Sequence, residues 1–451
     1  MVNRSMQAWV VLALVAAVPA AGAVVSEPGW SVSAMSTPGL SGPTTMQFLA
    51  ADDFFVLEKG TGIVKRFQAG VGSPVLDLPV NASSERGLLG IELHPQFPAT
   101  PWVYLYYSRA DAGDATTWTE NRLSRFTWNG ASLVNETPLL AFERDPTQAN
   151  GPNHDGGVLR FGPDGMLYGT TGDLNRNRAE QNNQATPAAS SDVGGIFRIR
   201  PDGTLPDGSQ PGETANPFLA EANAAFHRWF AYGVRNSFGA AFDPVTDVLW
   251  DTENGPVDYD EINRVAPGFN SGWDAIMGPE SRSGNAPGDL VMFDSAAYSD
   301  PEFSWKDTIG VTAIEFLHGS ALGPAYDDAV LVADVNLDQL YLFRLNPSRD
   351  GFVLGGDLAD RVADDNTEAA PLVVGTAFNG PTDLHVGPDG AVYVVSLGDG
   401  AVYRIVPAPA SAALLTLGAP AALRRGRRGR GAVPRSPLLS EPGADRAHGV
   451  N

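Results

Sequence analysis

His154 and Asp173 bracket the stretch with the most capacity for chemistry, NHDGGVLRFGPDGMLYGTTGD. An imidazole near a carboxylate is the pairing that orients a general base and tunes it near neutral pH. Gly156 and Gly157 follow the histidine, and glycine permits positive φ or close backbone approach, as a ligand-pocket floor requires. Apolar and polar residues alternate from Val158 to Phe161, turn at Gly162-Pro163-Asp164-Gly165, and alternate again from Met166 to Thr170. That pattern predicts a β-hairpin. It places His154 at the mouth of one strand and Asp173 at the end of the next, on the same side of the sheet.

Four further stretches carry groups suited to a site. Ser84-Glu85-Arg86-Gly87 leads through Leu88-Leu89-Gly90 into IELHPQF. In Ala231-Tyr232-Gly233-Val234-Arg235-Asn236, the last two side chains offer a fork of donors to an acidic group. Asp251-Thr252-Glu253-Asn254-Gly255-Pro256 leads to Asp260-Glu261-Ile262-Asn263. The carboxylates and free carbonyls from Glu253 to Glu261 suit a hard cation such as calcium. Pro381-Thr382-Asp383 precedes the last apolar strand. Taken singly, each of these also reads as a solvated turn.

The elements that must position these groups recur along the chain. A turn, a short run of β-branched and aromatic residues, and an acidic, Gly or Asn exit appear six times: FFVLEKG after Ala51-Asp52-Asp53, WVYLYYS after His94-Pro95, MLYGTTGD after Gly162–Gly165, DVLWDTENG after Asp243-Pro244, AVLVADVN after Tyr326-Asp327-Asp328, and AVYVVSLGDG after Gly387–Gly390. Six such units imply an all-β fold, a six-bladed β-propeller with long loops over one face. Long inserts at Asn175 to Val193, Pro201 to Trp229 and Asn270 to Ile309 are expected to roof a pocket. The 50 glycines and 35 prolines among 451 residues agree with many short strands. A net charge of −22 excludes a nucleic-acid partner, which needs a basic face. The absence of cysteine excludes thiol chemistry and disulfides.

Both ends differ from this body. Arg4, the apolar run from Ala8 to Val18 and Ala21-Gly22-Ala23 read as an export signal over residues 1–23. The propeller is expected over 24–406. Residues 407–430 combine Pro407-Ala408-Pro409-Ala410, an apolar run from Ala412 to Leu423 and an arginine cluster from Arg424 to Arg430. That order resembles a bacterial PEP-CTERM sorting tail, with Ala408 in the usual Glu position, and implies membrane or cell-surface attachment. Residues 431–451 read as a disordered extension. The expected location is outside the cytoplasm: periplasmic, cell-surface or extracellular.

HDGG with GPDGMLY and Gly172-Asp173, GLLGIELHPQF, YGVRN, and ENGP followed by DEIN and GWD together resemble the soluble quinoprotein aldose dehydrogenases, the glucose/sorbosone dehydrogenase family. The resemblance runs from about Ser36 to Val406. It implies a sugar oxidised to its lactone, with pyrroloquinoline quinone (PQQ) and calcium as cofactors and an external electron acceptor as partner. It makes His154 the base, Asp173 the residue that orients it, and Arg235 the stabiliser of charge on the quinone. Glu85, Arg235, Asn236 and Asn254 would bind the cofactor, and the Gly255 and Pro256 carbonyls would bind calcium. The chain departs from the family's pattern where basic residues face the quinone carboxylates: it has Asp334-Val335-Asn336-Leu337-Asp338 and Gly380-Pro381-Thr382-Asp383. Two other functions fit a propeller: a non-catalytic, surface-anchored binder of carbohydrate or protein, and a calcium-dependent lactone hydrolase.

Overall fold

Each of the six turn-plus-apolar segments forms the second strand of its own antiparallel sheet. These are Asp53–Glu58, Trp102–Asp111, Leu167–Thr171, Leu249–Glu253, Ala329–Asp334 and Val392–Ser396. The fold is a six-bladed β-propeller, seen in a computed structural model that describes residues 22–111, 114–143, 153–184 and 192–409. The first 21 residues of the expected export signal lie outside the described residues. So do the expected sorting tail from residue 410 and the extension beyond it. The first strands of the blades are Pro43–Ala50, Leu88–Leu93, Leu159–Phe161, Ser237–Phe242, Val311–Phe316 and Pro381–Val386. They neighbour one another in turn and line a central channel.

The propeller buries both faces of every sheet, which explains the composition of its strands. Leu167–Thr171 and Ala329–Asp334 are buried along their whole lengths. The alternation expected from Met166 to Thr170 is therefore not one of core against solvent, because both sides of the sheet meet a neighbouring blade. Six apolar clusters result, one at each junction between adjacent blades. Between the fourth and fifth blades, Trp250 and Trp305 pack on Ile314 and Tyr341, with the Trp305 and Tyr341 rings 5.3 Å apart. Repacking any junction shifts two blades, so the rim residues they carry are held by the whole ring.

Two devices close that ring. Trp30–Ala34 adds an outer strand to the last blade, pairing with Ala401–Pro407 from Trp30↔Pro407 to Ala34↔Tyr403. At the channel, Asp383 joins the last blade to the first, accepting from Thr45 Oγ1 at 2.5 Å and the Met46 amide at 3.2 Å. Asp383, one of the site-like residues of the sequence, thus holds the ring shut.

The hairpin turns lie at one end of the blades and the second-strand exits at the other. Two long inserts reach the exit end, where Gln181 and Trp273 both bond Asp173. Pro201 to Trp229 does not roof that end. It follows Gly195–Ile199, whose last residue pairs with Leu167 beside the hairpin turn. Arg198 fastens the insert there through the Thr214 carbonyl and Asn216 Oδ1, each at 3.0 Å, and Asp164 of the turn at 2.8 Å. An odd number of strand crossings separates it from the His154 side.

Trp30 is only 7% exposed and its ring packs, tilted, 5.1 Å from that of Tyr326 of the neighbouring blade. Trp30→Ala is expected to lower unfolding stability by about 3 kcal/mol, the scale of a large-to-small change in a core. Denaturant unfolding checks this. An unchanged midpoint would mean that the outer closing strand does not support the ring.

Candidate active site

His154 sits at the entrance to the third blade with φ at 63°, a conformation uncommon for a residue with a Cβ. Gly172 makes room for it. A Cβ at Gly172 would lie 2.3 Å from the His154 carbonyl oxygen and 2.7 Å from that of Arg235. The entrance to the third blade, the exit of its second strand and the link to the fourth blade therefore converge at one glycine. That convergence brings the imidazole, Asp173 and Arg235 together.

The polar geometry defines the state of the imidazole. His154 Nδ1 lies 2.6 Å from Asp173 Oδ1, and His154 Nε2 lies 2.8 Å from Arg235 Nη2. A guanidinium can only donate, so Nε2 accepts, and Nδ1 carries the proton given to Asp173. The imidazole is neutral, with its lone pair on Nε2. Asp173 itself accepts four hydrogen bonds: His154 Nδ1 and the Asn175 amide on Oδ1, and Gln181 Nε2 and Trp273 Nε1 on Oδ2. Its side chain is only 3% exposed, so these donors replace the water that would otherwise solvate it.

Arg235 is held against the same wall. Its Nη1 donates to the Asn254 and Gly255 carbonyls at 2.9 and 2.8 Å, and its guanidinium lies 5.3 Å from the Trp273 ring centre. Burial holds its pKa below the usual arginine range, with Asp173 and Glu253 opposing. Glu85 ties the second blade to this group. Its Oε2 accepts from the His154 amide at 2.6 Å and from Asn236 Nδ2 at 3.1 Å. Asn236 Oδ1 in turn accepts the Gly156 amide at 3.3 Å. Beneath them, burial pushes the Asp155 carboxyl up to about 7, while Asn121 Nδ2 donates to it at 2.9 Å.

The expected residues His154, Asp173, Glu85, Arg235, Asn236, Asn254 and Gly255 are thus joined in one continuous network. Pro256 is next to it and exposed. The Gly255 carbonyl faces the Arg235 guanidinium, and its oxygen has a second lone pair. Among the described residues no three His, Cys, Asp or Glu side chains are grouped to hold a metal. A cation at Gly255 and Pro256 would therefore rest on backbone carbonyls. Behind Arg235, burial pushes Asp251 to about 7, Glu253 to about 8 and Glu261 well above the carboxylate range. Glu253 anchors the site through the Arg235 amide at 2.6 Å.

Glu85 and Gly156 also line a cavity of about 220 Å³ in the channel mouth. Leu89, Ile91, Val158 and Phe238 give it apolar walls, and Thr44, Thr45, Thr312 and Thr382 give it hydroxyls. Its cations are Lys59 and Arg160. Apolar walls and a cation suit a planar, anionic heterocycle such as PQQ. Sequence reading assigned no role to Trp273, Gln181 or Lys59. Gly272-Trp273-Asp274 stood out as a motif, but nothing in its spacing couples it to Asp173, 100 residues away.

Deeper in the channel the first strands place Glu92, Arg160, Glu315, Asp383 and His385. His385 Nε2 lies 2.8 Å from Asp383 Oδ2, and Arg160 Nη2 lies 3.5 Å from Asp383 Oδ1. Their positive charges keep Asp383 below the usual carboxylate range against the cost of burial. Burial pushes Glu92 and Glu315 up to about 7.

Fold and rim together define a six-bladed propeller with a ligand site at its channel mouth. The glucose/sorbosone dehydrogenase family profile matches residues 40–404, and the chain belongs to that family. It is 30% identical over 377 residues to the aldose sugar dehydrogenase YliI of Escherichia coli K12, covering 79% of this chain and 87% of the relative. Among solved structures it is similar to a putative oxidoreductase (glucose dehydrogenase) from Thermus thermophilus, at 28% identity and a TM-score of 0.62, covering 84% of this chain and all of that one. The PQQ-bound aldose sugar dehydrogenase of Streptomyces coelicolor shares the fold at 23% identity and a TM-score of 0.59, covering 84% of this chain and 98% of that one.

The channel carboxyls give the protein a pH dependence. Glu92 and Glu315 titrate near 7 when folded, against an ordinary 4.5. Their contribution to stability is full below about pH 4.5 and is lost as the pH rises through 7. The melting temperature of the double variant Glu92→Gln, Glu315→Gln should fall less between pH 5 and 8 than that of the wild type. Identical pH profiles would refute the assignment.

Proposed function

We propose that this protein is an exported aldose dehydrogenase that oxidises a sugar to its lactone with PQQ and calcium, passing electrons to an external acceptor. The observation that carries the reading is His154 held between two partners, its Nδ1 2.6 Å from Asp173 Oδ1 and its Nε2 at the rim 2.8 Å from Arg235 Nη2. A base so oriented suits removal of the proton from an anomeric hydroxyl. When bound, PQQ supplies the acceptor for the hydride that leaves the sugar's anomeric carbon.

The chain's own residues have separable roles in this reading. His154 Nε2 takes the hydroxyl proton. Asp173 stabilises the imidazolium so formed and fixes the ring's orientation. Arg235 occupies Nε2 in the present structure, so its guanidinium must turn away before a sugar hydroxyl can bond there. Turned from the imidazole, its donors would be free to hold the oxygens of the quinone, beside Asn236 and Glu85. Asn254 lines the same wall. The Gly255 carbonyl, given up by Arg235, and the Pro256 carbonyl would hold calcium, a Lewis acid beside the quinone.

Export rests on the charge, apolar run and small-residue order of residues 1–23, and surface attachment on the tail from 407 to 430. A second reading, a non-catalytic propeller anchored at the surface to bind carbohydrate or protein, is favoured by one feature. The cavity wall at Val335 and Thr382 is neutral, and beside it Asp383 is an anion.

Purified protein given calcium and PQQ should reduce a dye with at least one aldose of a panel. Absence of both turnover and a thermal shift on cofactor addition would favour the binder. In His154→Ala, turnover should fall by at least about 100-fold, the lower end of general-base catalysis, while the PQQ Kd changes by less than about 3-fold. Surviving turnover would show that another group is the base.

A further inference from the structure

Lys59 stands at the exit of the second strand of the first blade, and its placement is tightly determined. Its amide donates to the Gly42 carbonyl and its carbonyl accepts the Leu88 amide, both at 3.0 Å. Gly87 packs so closely that a Cβ there would lie 2.4 Å from the Lys59 carbonyl oxygen. The first and second blades therefore grip the Lys59 backbone, while its side chain runs along the cavity wall. Nζ donates to the Ser84 carbonyl at 2.6 Å, next to Glu85.

The two cations that line this cavity differ in how their charge is used. Arg160 ion-pairs with Asp383, and its Nη1 donates to the Leu159 carbonyl at 2.9 Å. Lys59 makes no ion pair at salt-bridge distance among the described residues. Burial depresses its pKa, although Asp155 and Glu85 favour the charged form. An ammonium in a half-buried wall, with a neutral carbonyl as its bonded partner, retains donors for an anionic ligand. Elsewhere in the cavity wall, Val335 and Thr382 supply no charge, and Asp383 is already engaged by Thr45 and Met46.

We propose that Lys59 is the cation that holds a carboxylate of the quinone cofactor, serving from the first blade in place of the basic residues that this chain lacks on its fifth and sixth blades. The proposal rests on the dehydrogenase reading above and specifies how this chain's cavity recognises a polyanionic quinone. It makes the affinity electrostatic and therefore salt-dependent. It also places the carboxylate edge of the ligand toward Ser84 and Lys59, leaving the Arg235 donors for the quinone oxygens and His154 Nε2 for the sugar.

The test is equilibrium binding of PQQ and of PQQ trimethyl ester, with calcium present, to wild type, Lys59→Gln and Lys59→Arg. Wild type is expected to prefer PQQ over the ester, which has the same ring system without carboxylate charge. Lys59→Gln should bind PQQ about 10- to 100-fold more weakly, the span of one charge-assisted hydrogen bond, with the ester's Kd unchanged. Lys59→Arg should retain most of the preference for PQQ. Equal weakening toward both ligands would mark a structural role for Lys59 and overturn the proposal. Unchanged PQQ binding in Lys59→Gln would also overturn it while leaving the dehydrogenase reading intact. Binding of neither ligand by wild type would overturn both.

Discussion

One buried carboxylate, Asp173, determines what the rim of this propeller can do. Four donors reach it from His154, Asn175, Gln181 and Trp273. A nearly inaccessible anion with all its lone pairs engaged has one low-energy arrangement, and each donor is positioned by satisfying it. The imidazole is held by its Nδ1 proton, so Nε2 must face the other way. The Trp273 indole is held by its N–H and offers its ring face to the Arg235 guanidinium. Tautomer, ring orientation and arginine placement thus follow from a single charge.

The propeller makes that arrangement possible because it sends all second-strand exits to one end. Lys59, Asp173, Asn254 and Val335 each lie just beyond a second strand, in four different blades. Apolar junctions on both sides of every blade fix these exits relative to one another, and Asp383 closes the circle at the channel. The active-site candidates therefore belong to a rigid ring, while the inserts carrying Gln181 and Trp273 supply the outer wall. Arg235 sits between these two layers. Its contacts with His154 Nε2 and the Gly255 carbonyl occupy the groups that the proposed chemistry needs free, so its side chain is the expected moving part.

Much of this was legible from residue order. The six apolar segments behind their turns are the six second strands, and the stretch from His154 to Asp173 folds as the hairpin its turn residues imply. What was not legible has physical reasons. A sheet buried on both faces carries no solvent-facing period, so the junction packing at Trp250 and Trp305 left no pattern to read. The end of the blade to which an insert belongs depends on counting strand crossings, and Pro201 to Trp229 proved to lie away from the pocket. Donors such as Gln181 and Trp273 come from inserts whose path is set by tertiary contacts. Nothing in the sequence around Lys59 marks it as a cavity residue, and only the curvature of the ring brings it to the channel mouth. Thr382-Asp383 looked like a site and is in part a fastener.

The most direct test is a crystal structure of the protein loaded with PQQ and calcium. The account predicts the quinone over the channel mouth between Lys59 and Asn236. It also predicts calcium on the Gly255 and Pro256 carbonyls, and an Arg235 guanidinium that has left His154 Nε2 for the quinone oxygens. A quinone bound elsewhere, or an Arg235 still bonded to Nε2 beneath a bound quinone, would contradict it.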